Sequence, residues 1–332
     1  MNPFLWREPL IILGKASHFL PKWKGEERLK LFQADLHDEG SFDEAVKGCD
    51  GVFHIAASME FSIREQADIE SYVQSNIIDP AIKGTLNLLK SCTRTKSVKR
   101  VVLTSSISTI TAKDTNGNWI PVVDESCQVQ VDHVWNTRAS GWVYVLSKLL
   151  TEEAAFKFAN KHGLDLVSVI TTTVAGPFLT STVPSSIRVL LSPITGDPEF
   201  FPILNAVNTR IGSIGLVHID DICNVHIFLM QHPRAQGRYM CCAVNCHMSK
   251  LVHLLAEAYP SVNMQRTTAS DNGNIPSEIS SKKLKDLGFE YKYGVLDIID
   301  ETISNSDGSK FKPSVATCME ASYSLWDSSF TL

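Results

Sequence analysis

The sequence contains no apolar run long enough to cross a bilayer, which takes about 18 to 20 residues. The longest run near the start, Pro9 to Leu13, is far shorter, and no small-residue cleavage site follows it. Basic residues are not in excess: 31 Lys and Arg stand against 36 Asp and Glu, a net charge of -5. Binding a phosphate backbone needs a dense basic face, so the balance argues against a nucleic-acid partner. Internal repeats and low-complexity tracts are absent. The eight cysteines include no C-x-x-C pair, and their one cluster, Cys241-Cys242 to Cys246-His247, lacks the spacing of a zinc site. No metal is expected. With no secretory signal and a long chain, a disulfide framework is not expected either, and YMCCAV reads as a strand of buried cysteines. These absences leave an intracellular, cytoplasmic protein directed at a small molecule, without a membrane span.

The sequence holds enough apolar residues for a sizeable core. It has 332 residues with a hydrophobic fraction of 44%, enough for about two domains at roughly 150 residues each. Apolar strand-length runs alternate with amphipathic stretches. Leu29 to Gln33, Gly51 to Ala57, Arg100 to Thr104 and Leu164 to Val174 read as strands. Phe42 to Lys47 reads as a short helix, capped by Ser41 with Glu44 completing a capping box. Ser71 to Cys92 reads as a long helix interrupted at Pro80, and Trp142 to His162 as a helix closed by Gly163. Near Val217 to Leu229 the chain returns to the core, with Asp220 or Asp221 capping a helix. Continuous apolar strands alternating with helices predict a doubly wound parallel α/β sheet, whose ligands bind beyond the carboxyl ends of the strands. The ends of these strands carry Asp35, Ala56-Ala57-Ser58, Ser105-Ser106 and Ala175-Gly176-Pro177.

The strongest chemical signal is Tyr144-Val-Leu-Ser-Lys148. Spacing of four on a helix puts both side chains on one face, where an ammonium favours the phenolate and pulls the tyrosine pKa down. A tyrosine tuned in this way can exchange a proton with a substrate oxygen. Ser106 closes the strand RVVLT, and Asn76 lies on the long helix before it. His54, His218 and His226 read as packed or locally hydrogen-bonded rather than metal-binding. Trp142 reads equally as a wall for a flat substrate or as helix packing.

Together, Asn76, Ser106, Tyr144 and Lys148 resemble the catalytic tetrad of the extended short-chain dehydrogenase/reductases. The words VFHIAA, KRVVLTSS, WVYVLSK, AGPF, VHIDDIC and SSKKLKDLGFEYKYG are similar to the plant branch of dihydroflavonol, anthocyanidin and cinnamoyl-CoA reductases, and closest to the anthocyanidin reductase-like proteins. The likeness runs from about Lys15 to Thr302. It implies a Rossmann-type fold with a smaller C-terminal substrate domain: residues 1–177 with 211–235 for the cofactor, 178–304 for the substrate, and 305–332 an irregular tail. It also implies an NADP(H)-dependent reductase of a flavonoid-like aromatic compound, working as a monomer or weak homo-oligomer. Tyr144 would donate the proton, Ser106 (with Ser105 as rival) would polarise the oxygen, and Lys148 would lower the tyrosine pKa and hold the ribose. Asn76 would support a relay water. Asp35 and Leu36 would read the adenine, Ala56, Ala57 and Ser58 would pass beneath the cofactor, and Thr171, Gly176, Pro177 and Ser185, beside Ser186, would line its nicotinamide end. Thr111 stands where dihydroflavonol reductases carry an asparagine, which weakens that particular reading.

One element of the resemblance is missing. The glycines before residue 60 are Gly14, Gly25, Gly40, Gly48 and Gly51, and none makes the G-x-x-G-x-x-G turn that cradles the pyrophosphate. The sequence therefore reads as lacking the family's first strand and glycine loop, roughly 30 to 40 residues at the N-terminus, with Leu10 to Leu13 as the remnant of a second strand. Two alternatives follow: a reductase of another small carbonyl compound, or an impaired relative that persists as a binding or regulatory protein.

Overall fold

Strands form where the sequence runs apolar without interruption, because such a strand can be covered on both faces. The structure is a computed structural model that describes residues 5–6, 30–56, 61, 63, 68–180, 182–260 and 277–307. It opens on β1 (Leu5–Trp6), paired in parallel with β2 (Lys30–Leu31). Then come α1 (Asp43–Val46), β3 (Gly51–His54), α2 (Ile69–Val73), a π-helical turn (Gln74–Ile78) and α3 (Asp79–Thr95). The middle of the chain gives β4 (Arg100–Ser106), β5 (Val122–Val123), α4 (Val131–Thr137), α5 (Trp142–His162), β6 (Leu166–Thr171) and β7 (Thr173–Ala175). It continues with α6 (Ser185–Thr195), α7 (Phe200–Ile211), β8 (Ile214–His218), α8 (Ile219–Gln231), β9 (Gly237–Cys241), β10 (Val244–Cys246), α9 (Met248–Ala258), β11 (Glu278–Ile279), α10 (Lys282–Asp286) and α11 (Val295–Asp307).

The main sheet has the order β3-β4-β6-β9 with every pairing parallel. Alternation along β4 decides the layers. Val101 and Leu103 face Leu88 and Leu89 of α3 and Ala155 and Ala159 of α5, whereas Val102 faces Val225 and Leu229 of α8. Helices on both faces of a parallel sheet make this a Rossmann-type α/β fold, as the strand pattern predicts. A second sheet, β10-β8-β7, carries a separate core formed with α6, α7, α9 and α11.

Several expectations are corrected. Ser41 does not cap α1: Phe42 holds that position without a side-chain bond. The Ser41 hydroxyl instead donates to the Asp35 carbonyl at 2.6 Å and accepts from the Asp35 N–H at 3.1 Å, closing the loop after β2. The strand expected over residues 29–33 shrinks to β2, and that over 51–57 ends at His54. Leu10 to Leu13 lie outside the described residues. Pro80 interrupts no helix, because it falls in the first turn of α3, where its missing N–H is tolerated. The irregularity lies earlier, in the π turn that contains Asn76. The run 164–174 splits because Thr172 turns its N–H and hydroxyl onto the Cys241 carbonyl, at 3.1 and 3.0 Å, so that β7 joins the second sheet. His218, not Asp220 or Asp221, caps α8, its Nδ1 accepting from the Asp220 N–H at 3.1 Å.

Candidate active site

β4 and β6 run in register so that Ser106 and Thr171 are partners at their carboxyl ends. α5 begins beside them at Gly141, whose φ of +80° favours a residue without a Cβ. The first turn of α5 brings the Tyr144 phenol beside the Ser106 hydroxyl, and both line one cleft. One turn later Lys148 donates from Nζ to the Thr104 carbonyl at 2.9 Å, two residues before Ser106 on the same strand. Ser105, whose side chain alternates to the other face of β4, is buried and its Oγ has no partner. Alternation thus places Ser106, and not Ser105, against Tyr144.

The electrostatics depart from the sequence expectation in one respect. Burial raises the Tyr144 pKa, offset in part by the Ser106 hydrogen bond. Lys148 does not pull it down, because its ammonium is turned onto a backbone carbonyl. Burial lowers Lys148 itself to about 8, with the Glu152 carboxylate one turn further along α5 opposing the shift. Burial, reinforced by the Lys148 charge, also pushes His54 down to about 4, and its Nε2 lies 2.9 Å from the Thr85 hydroxyl. Glu152 is a charged neighbour of Lys148 that the sequence reading missed. It accepts from the Ser168 hydroxyl and pairs with Arg238 of β9 at 3.0 Å. The available signal was the spacing of four from Lys148.

The remaining candidates are dispersed. Asn76 is exposed, and its Nδ2 donates to the Tyr72 carbonyl at 3.0 Å. π turns often mark functional sites, but Asn76 is not among the residues that line the cleft. The Asp35 carboxylate accepts from the His37 N–H at 2.8 Å, the leading cause of its lowered pKa. Leu36 packs against Gly84 of α3 and accepts from Asn87 Nδ2 at 2.8 Å. Ala56 is exposed just past β3, whereas Ala57 and Ser58 lie outside the described residues. Thr171, Ser185 and Ser186 do line the cleft. Pro177 is half-buried just beyond β7. Trp142 is buried, its ring 5.1 Å from that of Trp135, so it is helix packing. His218 and His226 serve local hydrogen bonds, as the sequence reading expects.

Gly176 is fixed both by a hydrogen bond and by close packing. Its N–H donates to the Thr302 hydroxyl of α11 at 2.7 Å. Its φ is +119°, and a Cβ there would stand 2.7 Å from His218 Nε2. Gly176→Ala is expected to cost about 2 to 4 kcal/mol from backbone strain and the clash together, read as a lower denaturant midpoint. A change below about 0.5 kcal/mol would show that the turn relaxes freely.

Ser106, Tyr144 and Thr171 open onto a cleft of about 150 Å³ with apolar walls that include Phe61, Ile203 and Val207. The Phe61 ring lies 5.0 Å from that of Tyr144. A larger hollow of about 400 Å³ beside Ser281 and Lys285 shares no residue with the cleft. Among the described residues, no helix is long and apolar enough to cross a membrane.

Known proteins are similar to this chain along most of its length. A Ginkgo biloba protein with a provisional anthocyanidin reductase name is 45% identical over 291 residues, covering 87% of this chain and 82% of its own. The bifunctional dihydroflavonol 4-reductase/flavanone 4-reductase of Pyrus communis is 39% identical over 285 residues, 86% of this chain and 77% of that protein. The solved structure of vestitone reductase from alfalfa superposes with a TM-score of 0.70 at 28% identity, covering 91% of this chain and 88% of that one. The sequence pattern of one family extends over residues 10–244, which takes in the sheet, Ser106, Tyr144 and Lys148, and the chain belongs to that family, the NAD dependent epimerase/dehydratase family.

Proposed function

We propose that this chain is an NADP(H)-dependent reductase of a flavonoid-like aromatic substrate, acting in the cytoplasm as a monomer or weak homo-oligomer. One observation carries the reading: the Ser106 hydroxyl and the Tyr144 phenol stand together in the lining of one apolar cleft. With its pKa raised by burial, the phenol stays protonated at neutral pH and is available as a proton donor. Ser106 donates to the same substrate oxygen and stabilises the charge that develops there. Residues 1–177 with 211–235 form the cofactor unit in this reading, and 178–304 the substrate unit.

The residues of the cleft fit the nicotinamide riboside half of the cofactor. The Thr171 and Ser185 hydroxyls line the cleft, and Lys148, one turn of α5 behind Tyr144, uses one of its three N–H donors on Thr104 and keeps two for ribose hydroxyls. Asp35 and Ala56, exposed just past β3, are left for the adenosine half. Bound there, the nicotinamide supplies a hydride. The choice of NADP(H) follows the resemblance to the plant flavonoid reductases. The second reading is a relative that binds small molecules without turning them over.

Titrating the chain with NADPH by fluorescence quenching, then adding an anthocyanidin or a dihydroflavonol, separates the two readings. Tyr144→Phe is expected to lower turnover about 100-fold or more, with cofactor affinity unchanged. Turnover retained by Tyr144→Phe removes the tyrosine from the proton step. An absence of NADPH binding overturns the reductase and leaves the binding protein.

A further inference from the structure

Of the described residues that line the cleft, Arg210 alone is charged. It stands in the last turn of α7, where the helix dipole favours a cation. Its Nε donates to the Ile110 carbonyl at 3.0 Å, and the Ala112 N–H bonds to its own carbonyl at 3.1 Å, so the backbone of the segment after β4 holds the residue in place. No carboxylate among the described residues pairs with it, whereas Arg100, Arg188 and Arg238 each have one. Burial pulls its pKa down to about 10, so the guanidinium still carries its charge at neutral pH. An unpaired charge in a half-buried place is costly unless something compensates it.

A second observation falls on the same wall. Ser108 lies in the 3₁₀ turn Ile107–Thr109, between Ser106 and the Ile110 carbonyl that holds Arg210. It lines the cleft, is 8% exposed, and its Oγ has no hydrogen-bond partner. Its N–H donates to the Ser106 Oγ at 3.2 Å. A buried hydroxyl left unpaired calls for an explanation. An orphan hydroxyl and an unpaired guanidinium on residues that line one cleft are complementary to a single kind of group, an anionic oxygen.

We infer that Arg210 and Ser108 form a subsite for an ionised oxygen, a phenolate or carboxylate, carried by the aromatic substrate. The inference rests on the reading of this cleft as a substrate site and adds to it the charge of the substrate. A guanidinium and the Ser106–Tyr144 pair in the lining of one cleft would together restrict the way a flat ligand lies. Neutral analogues of the same shape would be bound more weakly, because they leave both groups unpaired.

Equilibrium binding tests this without cofactor or turnover. The probes are 4-hydroxycinnamate against its methyl ester for the carboxylate, and ionised 4-nitrophenol against 4-nitroanisole for the phenolate. Wild type is expected to prefer at least one anion over its neutral partner by about 10- to 100-fold, as a charge-assisted hydrogen bond gives. Arg210→Met should abolish the preference while leaving affinity for the neutral probe unchanged, which also shows that the cleft is still folded. Arg210→Lys should recover part of the preference, and Ser108→Ala should reduce it several-fold. Should Arg210→Met fail to fold, Arg210→Lys and Ser108→Ala decide by the same ratio. Equal affinity of wild type for both members of each pair, or a preference that survives the loss of Arg210, overturns the subsite. Because no turnover is read, an inactive chain that binds anions through Arg210 keeps this inference while losing the reductase reading. Charge-blind binding by an active chain does the reverse.

Discussion

Replacing Glu152 by leucine is expected to lower the unfolding free energy by about 3 to 5 kcal/mol, the usual cost of removing one partner from a buried ion pair. Glu152 is 2% exposed in the middle of α5 and stands between two supports from other elements, the Ser168 hydroxyl of β6 and the Arg238 guanidinium of β9. Without the carboxylate, Arg238 keeps only neutral acceptors, among them the Glu125 carbonyl at 2.6 Å. Glu152→Gln retains the volume and the bond from Ser168, and should fall between wild type and leucine in urea denaturation. A loss under about 1 kcal/mol for the leucine variant would place Arg238 in contact with water.

The same residue predicts a pH effect. Lys148 has a folded pKa of about 8 against its ordinary 10.5, because burial outweighs the attraction of Glu152. The unfolded chain therefore binds more protons at this group between about pH 8 and 10.5. Across that window Lys148 contributes stability that increases as the pH rises. Glu152→Gln removes the opposing attraction, moves the folded pKa lower still, and extends the window toward neutral pH. Stability curves of wild type and variant measured against pH read this directly, and identical curves would show that Glu152 does not act on Lys148.

Arg100→Met is the second large effect, again about 3 to 5 kcal/mol. Arg100 is 9% exposed at the start of β4 and pairs with Asp165 at 2.8 Å. It also donates to the carbonyls of Leu229 and His232, both at 2.7 Å, and of Ala235 at 3.2 Å. Leu229 lies in the last turn of α8, where carbonyls have no partner within the helix. Methionine fills the space but leaves these acceptors buried and unpaired. Hydrogen exchange should therefore accelerate in the last turn of α8 as well as in β4. Unchanged exchange there would mean that water replaces the guanidinium at no cost.

Of the fold, the long elements were legible and the short ones were not. α5 spans Trp142–His162 and ends at Gly163, as its apolar stripe and C-cap glycine indicate. The caps misled, because Ser41 and His218 chose partners that the local pattern does not show. Ser41 was drawn to the Asp35 backbone, and His218 took the cap that Asp220 or Asp221 could have supplied. β6 and β7 read as one strand because β-branched residues fill both, and only the Cys241 carbonyl draws Thr172 out of line. In the site, Tyr144 and Lys148 were legible because four residues make one helical turn. Arg210 was not, since nothing in its neighbourhood on α7 points to the cleft.

By itself, the sequence determined the parallel α/β sheet, the face shared by Tyr144 and Lys148, and the strand ends at which ligands would gather. Each follows from a period of two or of 3.6 residues, a property of neighbours along the chain. Tertiary structure alone decided that burial raises Tyr144 while Lys148 turns to Thr104, and that Arg210 reaches the cleft. The bond that holds Arg210 joins residues 100 positions apart. Burial and charge pairing depend on distances through space, and those exist only once the layers have packed.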